Sequence, residues 1–254
     1  MWWQQYKKEI LGNRTELLIL TGGYLLWTLF LVSRVGRWDA DAIIAAYFAP
    51  VTGIFPLWTA WTSVQLYRQE WRENTSYLML SLPVRARTIT SAKLAMLLTG
   101  AVGFMLLFAV GGWLIFERTG IWAEMRAELF PIVPLEYRVK MSLLVFGLTL
   151  AALLVIALVV QFTYVFSRLF NRLRFVVMGW SWVLLFWLMG LAAGFGLRWL
   201  AFLPDFHLRL LSVRNRIPVF EVVTIESGPF VALALFVVAL YALLNAVLER
   251  AVEV

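Results

Sequence analysis

Six stretches of this chain are apolar over the roughly twenty residues that a helix needs to cross the hydrocarbon core of a bilayer. They cover 17–35, 42–67, 94–116, 141–166, 175–197 and 230–248. The third holds no charged residue, and Gln161 is the least apolar member of the fourth. A water-soluble domain has no place for six such runs. Hydrophobic residues make up 62% of the 254 and charged ones only 15%, against about a quarter charged in soluble domains. The period-two alternation of an outer-membrane barrel is missing. The fold class expected is therefore an all-α membrane protein with six transmembrane helices, forming a single domain over 1–254. The first run is too long for a signal peptide. Ser33-Arg34-Val35-Gly36-Arg37 follows it, with no small-residue cleavage site.

The formal net charge is +7. In a soluble protein that excess would suggest nucleic acid, but no basic stripe is interleaved with base-stacking aromatics. Basic residues in a membrane protein mark cytoplasmic loops instead. Arg168, Arg172 and Arg174 crowd into seven residues without an acid, whereas the loops on the opposite side mix bases with acids. Both termini are thus expected in the cytoplasm of a multi-pass cell-membrane protein. Residues 1–16 place Trp2, Trp3, Tyr6 and Ile10 near one helical face, the pattern of an amphipathic helix lying in the interface.

The chemistry available to such a chain is narrow. It has no Cys and one His, His207, so thiolate catalysis, disulfides and intramembrane metalloprotease chemistry are excluded and no metal site is expected. No carboxylate lies inside a span, where a proton-driven carrier would place one. Thr59, Thr62, Ser63 and Gln161 are the candidates for lining a polar pathway, with helix–helix hydrogen bonding as their other use. Gly22-Gly23 and Gly190-x-x-x-Gly194 (with Ala192-x-x-x-Gly196 beside it) permit close helix approach, and the first two pairs are candidates for contact with a second chain. Pro50 and Pro56 should kink the second span and free backbone carbonyls that neighbours must satisfy.

The segment 68–93, between spans two and three, says more. Trp71, Thr75, Leu78 and Leu82 fall on one helical face, and Arg68, Glu70, Arg72 and Glu73 give the first turns a charged surface. Pro83 then ends the helix. An amphipathic cytoplasmic helix closed by a Leu-Pro break suits docking on a cytosolic partner.

The same residues resemble the signature region of ABC-2-type permeases, the membrane subunits of one class of ATP-binding-cassette exporters. The matching positions are acidic Glu70 and Glu73, then Asn74-Thr75 where a Gly-Thr-like pair is commoner. Leu78 and Leu80, Ser81-Leu82-Pro83, Arg87 and Lys93 follow. The resemblance implies a half-transporter. Two permease subunits, identical or paralogous, would form the pathway in contact with membrane lipids. A separate ATPase subunit would dock on the coupling residues Glu70, Trp71, Glu73, Asn74, Thr75, Leu78, Pro83 and Arg87. It also implies that the 198–229 outer loop dips back into the outer leaflet as short helices. No G-x-x-x-x-G-K-[ST] phosphate loop occurs. ATP and magnesium would thus sit on the partner, this chain would be no enzyme, and it would bind no cofactor of its own. The rival reading is a non-transporting membrane sensor or assembly scaffold whose cytoplasmic helix binds a regulator.

Overall fold

The computed structural model describes residues 2–72, 85–170, 172–214 and 217–250. It is mostly helical: α1 (Trp2–Gly12), α2 (Arg14–Arg34), α3 (Ala40–Ala49), a π-helical turn (Pro50–Ile54), α4 (Phe55–Arg72), α5 (Ala86–Arg118), the short α6 (Ile121–Glu124) with a second π turn (Met125–Leu129), α7 (Leu135–Ser167) and α8 (Arg174–Trp199). Strands β1 (Phe206–Arg214) and β2 (Ile217–Ile225) and helix α9 (Gly228–Arg250) complete it. Six helices are long and apolar enough to cross a membrane, one for each apolar run: Arg14–Arg34, Ala40–Trp71, Ala86–Arg118, Leu135–Ser167, Arg174–Trp199 and Gly228–Glu249. The chain forms two compact units, Met1–Ala157 and Leu158–Val254.

The first unit is held by a core of Tyr24, Leu31, Ile43, Tyr47, Phe55, Ala101, Phe104, Ile115 and Leu153. Phe55 stacks on Phe104 with ring centroids 4.2 Å apart. The Tyr24 hydroxyl donates to that of Tyr47 at 2.7 Å, and Tyr47 in turn donates to the Phe108 carbonyl. Glycines make room for this pair: a Cβ on Gly111 would lie 2.7 Å from the Tyr24 hydroxyl.

The proline expectation is met by a neighbour. Pro50 has no N–H to give the Ala46 carbonyl, four residues back in the helix. The indole nitrogen of Trp27 on α2 fills that vacancy at 3.2 Å. The helix widens into its π turn from Pro50 onward, a common way to absorb such a defect.

In the second unit, α8 and α9 approach backbone to backbone. A Cβ built on Gly196 would lie 2.5 Å from the Gly228 carbonyl oxygen, and one on Gly228 would lie 2.3 Å from that of Gly196. Only two glycines facing each other allow this contact.

Two expectations are corrected here. The loop 198–229 does not form the short helices expected of it. Its residues 206–225 make an antiparallel hairpin that pairs Phe206 with Ile225 and Leu210 with Glu221, so the fold is not purely α-helical. β2 is rich in β-branched residues (Ile217, Val219, Val222, Val223, Thr224, Ile225), which crowd a helix and suit a strand. The segment 68–93 is also shorter as a connector than its sequence suggested. α4 carries the second span on to Arg72, and α5 begins at Ala86, so Lys93 lies two turns inside a helix.

Candidate functional site

Lys93 stands where hydrocarbon-facing sequence begins, and a lone ammonium there would be costly. The fold surrounds it with oxygen. α5 turns Lys93 toward the end of α4 and toward α1. Its Nζ lies 2.9 Å from Glu9 Oε1, 2.9 Å from Glu70 Oε1 and 2.7 Å from the Leu66 carbonyl oxygen. The contacts to Glu9 and the Leu66 carbonyl are hydrogen bonds, and that to Glu70 is an ion pair. The Tyr67 ring closes the cage, its centroid 5.1 Å from Nζ. The Lys93 side chain is 0% exposed, that of Glu9 8% and that of Glu70 12%. Lys8 reaches the same Glu70 oxygen from the surface at 3.4 Å. Two cations therefore balance two carboxylates in one cluster.

Other polar contacts fasten α1 beside this cluster. The Trp2 indole donates to Ser91 Oγ at 3.0 Å, and the Tyr6 and Thr99 hydroxyls lie 2.9 Å apart. Asn13 Nδ2 donates to the Glu9 carbonyl at 2.9 Å. Thr62, on α4, points its hydroxyl at Glu16 Oε2, 3.4 Å away at the start of α2. Four helices, α1, α2, α4 and α5, are thus joined by polar contacts at one end of the first unit.

The sequence-derived candidates fare differently. Glu70, read as part of a charged surface, is turned inward to Lys93, because the helix continues past the apolar run and carries it round to face α5. Trp71 is half-buried and stacks on Tyr67 at 5.9 Å. Arg87 is exposed. Glu73, Asn74, Thr75, Leu78 and Pro83 lie outside the described residues. Thr59, Thr62 and Ser63 are buried, with Thr59 donating to the Phe55 carbonyl at 3.0 Å and Ser63 to the Thr59 carbonyl at 2.7 Å. Thr59 also edges a small apolar crevice with Leu97, Leu98 and Leu154. Gln161 is fully buried, and both its amide atoms lack a partner among the described residues. Gly22, Gly23, Gly190 and Gly194 have nothing within 4 Å of a built Cβ. The close-packed glycines are instead Gly196 and Gly228. No group of three or more His, Cys, Asp or Glu among the described residues is placed to hold a metal ion.

Sequence reasoning missed Glu9 and placed Lys93 only as the opening of the third span. The signal for Glu9 was faint: one acid in an aromatic and basic helix, 84 positions from its partner.

The model of a family described as "ABC-2 family transporter protein" matches residues 17–178. The matched stretch contains Glu70 and Lys93 but not Glu9. No curated protein and no solved structure matches the chain. With well over half its length answering to that family model, and with six helices able to span a bilayer, the chain belongs to the ABC-2 transporter family as one of its membrane proteins.

Proposed function

We propose that this chain is the pathway-forming subunit of an ATP-driven exporter. Two copies, or one copy and a paralogue, enclose the route. Separate ATP-binding subunits drive it from the cytoplasmic end and hold the ATP and magnesium. The observation that carries this reading is the Lys93 cluster. The segment 73–84, which would dock on the ATPase, is bracketed by Glu70 and Lys93, and Lys93 binds both Glu70 and Glu9. A pull on the segment then moves α1, α4 and α5 together. Docking and bracing are separate tasks in this scheme, performed by different carboxylates.

Variants of the two acids separate the tasks. Glu73→Lys is expected to weaken co-purification of the ATPase subunit. Glu70→Gln should leave co-purification intact and lower transport-linked ATP hydrolysis roughly tenfold, the effect of weakening a largely buried ion pair. Coupling unchanged in Glu70→Gln would overturn the bracing role. A chain that purifies with no ATPase from its native membrane would instead favour the scaffold or sensor.

The proposed orientation puts both termini and 68–93 in the cytoplasm. Because the chain has no cysteine, single ones report cleanly. An impermeant thiol reagent applied from outside should label Ala123→Cys and Thr224→Cys and spare Gln69→Cys and Arg172→Cys. All four positions are exposed in the fold. The opposite pattern would invert the topology.

A further inference from the structure

We propose that the turn between α2 and α3 is a binding site for the headgroup of an ethanolamine phospholipid, with Arg34 taking the phosphate and Asp39 the ammonium. Arg34 is the last residue of α2, and the chain turns sharply after it. Gly36 permits the turn at φ 81°, a left-handed angle that glycine adopts without strain. The N–H groups of Arg37 and Trp38 both donate to the Arg34 carbonyl, at 2.9 and 3.1 Å. Trp38 is thereby folded back over its own arginine. The Arg34 guanidinium carbon lies 4.8 Å from the centroid of the Phe30 ring and 5.8 Å from that of Trp38. The two rings meet edge to face at 5.9 Å. They hold the cation in place but give it no acceptor. The ion pairs among the described residues join other groups, and the buried Arg34 Nε has no partner. Two acids follow in sequence, Asp39 and Asp41, both exposed. Asp39 holds the N-cap position of α3, yet its side chain makes no capping hydrogen bond. A cation and an anion five positions apart thus stand separate, each open to a ligand.

A ligand that answers both carries a negative and a positive group on one short link. Phosphate oxygens pair with a guanidinium fork, and a primary ammonium donates to a carboxylate. The surroundings point to lipid. Leu26, Leu29, Phe30 and Trp38, on the last turns of α2 and in the turn itself, are exposed, Leu26 at 70%. A tryptophan and an arginine at the end of a spanning helix stand at the level of the headgroups. α2 begins beside the Lys93 cluster and crosses to this turn, so the site belongs to the opposite leaflet. The segment 34–41 holds two arginines and two aspartates, and a turn without net charge suits a headgroup without net charge. Choline has no N–H for Asp39. Phosphatidylglycerol brings no cation at all, and both aspartates repel it.

The test uses the full chain, purified in detergent, with lipid retention read by native mass spectrometry. The probes are dioleoyl phosphatidylethanolamine, dioleoyl phosphatidylcholine, dioleoyl phosphatidylglycerol and inorganic phosphate. The chain should retain phosphatidylethanolamine over the other two lipids. Arg34→Gln should lower that retention roughly tenfold, the loss expected for a charge-assisted hydrogen bond. Arg34→Lys keeps the charge and guards against a folding defect. It should fall between the two, because lysine lacks the fork. Asp39→Asn, at an exposed position, should reverse the order and place phosphatidylglycerol above phosphatidylethanolamine. A change of preference of that kind cannot come from a general loss of lipid. Undiminished retention in Arg34→Gln, or an unchanged order in Asp39→Asn, would overturn the site. So would equal retention of all three lipids. Full competition by inorganic phosphate at the lipid's concentration would also overturn it, in favour of a free-phosphate site.

Discussion

Replacing Lys93 with methionine should cost this protein about 3–5 kcal/mol, the usual penalty for removing one partner of a buried ion pair. The loss comes less from the missing attraction than from what remains. Glu9 and Glu70 would face each other in a nearly dry site, 8% and 12% exposed, with Lys8 reaching Glu70 from the surface. The measurement is thermal unfolding of the detergent-solubilised chain. A second variant tells the structural role from the coupling role. Lys93→Met/Glu9→Leu/Glu70→Leu removes all three buried charges and should regain most of the lost stability, since apolar replacements of a buried ionic group are often neutral. Coupling to the ATPase should stay impaired in it, because apolar contacts do not hold the segment ends in one register. A triple variant as unstable as Lys93→Met would show that the cluster contributes through packing. A triple variant with full coupling would show that it is a structural brace alone.

The second large effect is expected at Gly196. Its replacement by alanine drives a methyl group into the Gly228 carbonyl, 2.5 Å from where the Cβ must sit. Backbone cannot rotate away as a side-chain tip can, so α8 and α9 must separate. Overpacking of this kind costs about 1–3 kcal/mol, and here it outweighs the roughly 1 kcal/mol that alanine gains over glycine inside a helix. Gly190→Ala and Gly194→Ala are the controls. Open space surrounds both positions, so folding should be unchanged or slightly improved. If these two substitutions weaken pairing between chains while leaving each chain stable, Gly190 and Gly194 serve the proposed second permease subunit. A neutral Gly196→Ala would contradict the backbone contact.

Much of this was legible before any fold was drawn, and the reason is the bilayer. Lipid offers backbone groups no partners, so a spanning segment must satisfy its own hydrogen bonds and must be long and apolar. That constraint acts along one dimension, and it made all six spans readable from 17–35 through to 230–248. Local chemistry extended the reading. Pro50 implied a freed carbonyl, and Trp27 meets it at Ala46. The pattern around Glu70, Pro83 and Lys93 pointed to the family before the match over residues 17–178 showed it.

The hairpin was less legible, although its signal was present in β2. Apolar residues in a loop between spans suit an interfacial helix or a strand alike. Pairing decides between them, and β1 and β2 exchange hydrogen bonds across the register Phe206–Ile225 to Arg214–Ile217.

By itself, then, the sequence determined the number and order of the membrane helices, the lack of thiol chemistry, and the kinship of the connecting segment. Only the tertiary structure decided which faces meet. It brought Glu9 across 84 positions to Lys93, turned Glu70 inward, and set Gly196 rather than Gly190 against another backbone. Lipid constrains each helix separately through its length and polarity. Partners between helices depend on rotation and depth, which are settled only when side chains pack and buried charges find their counterions.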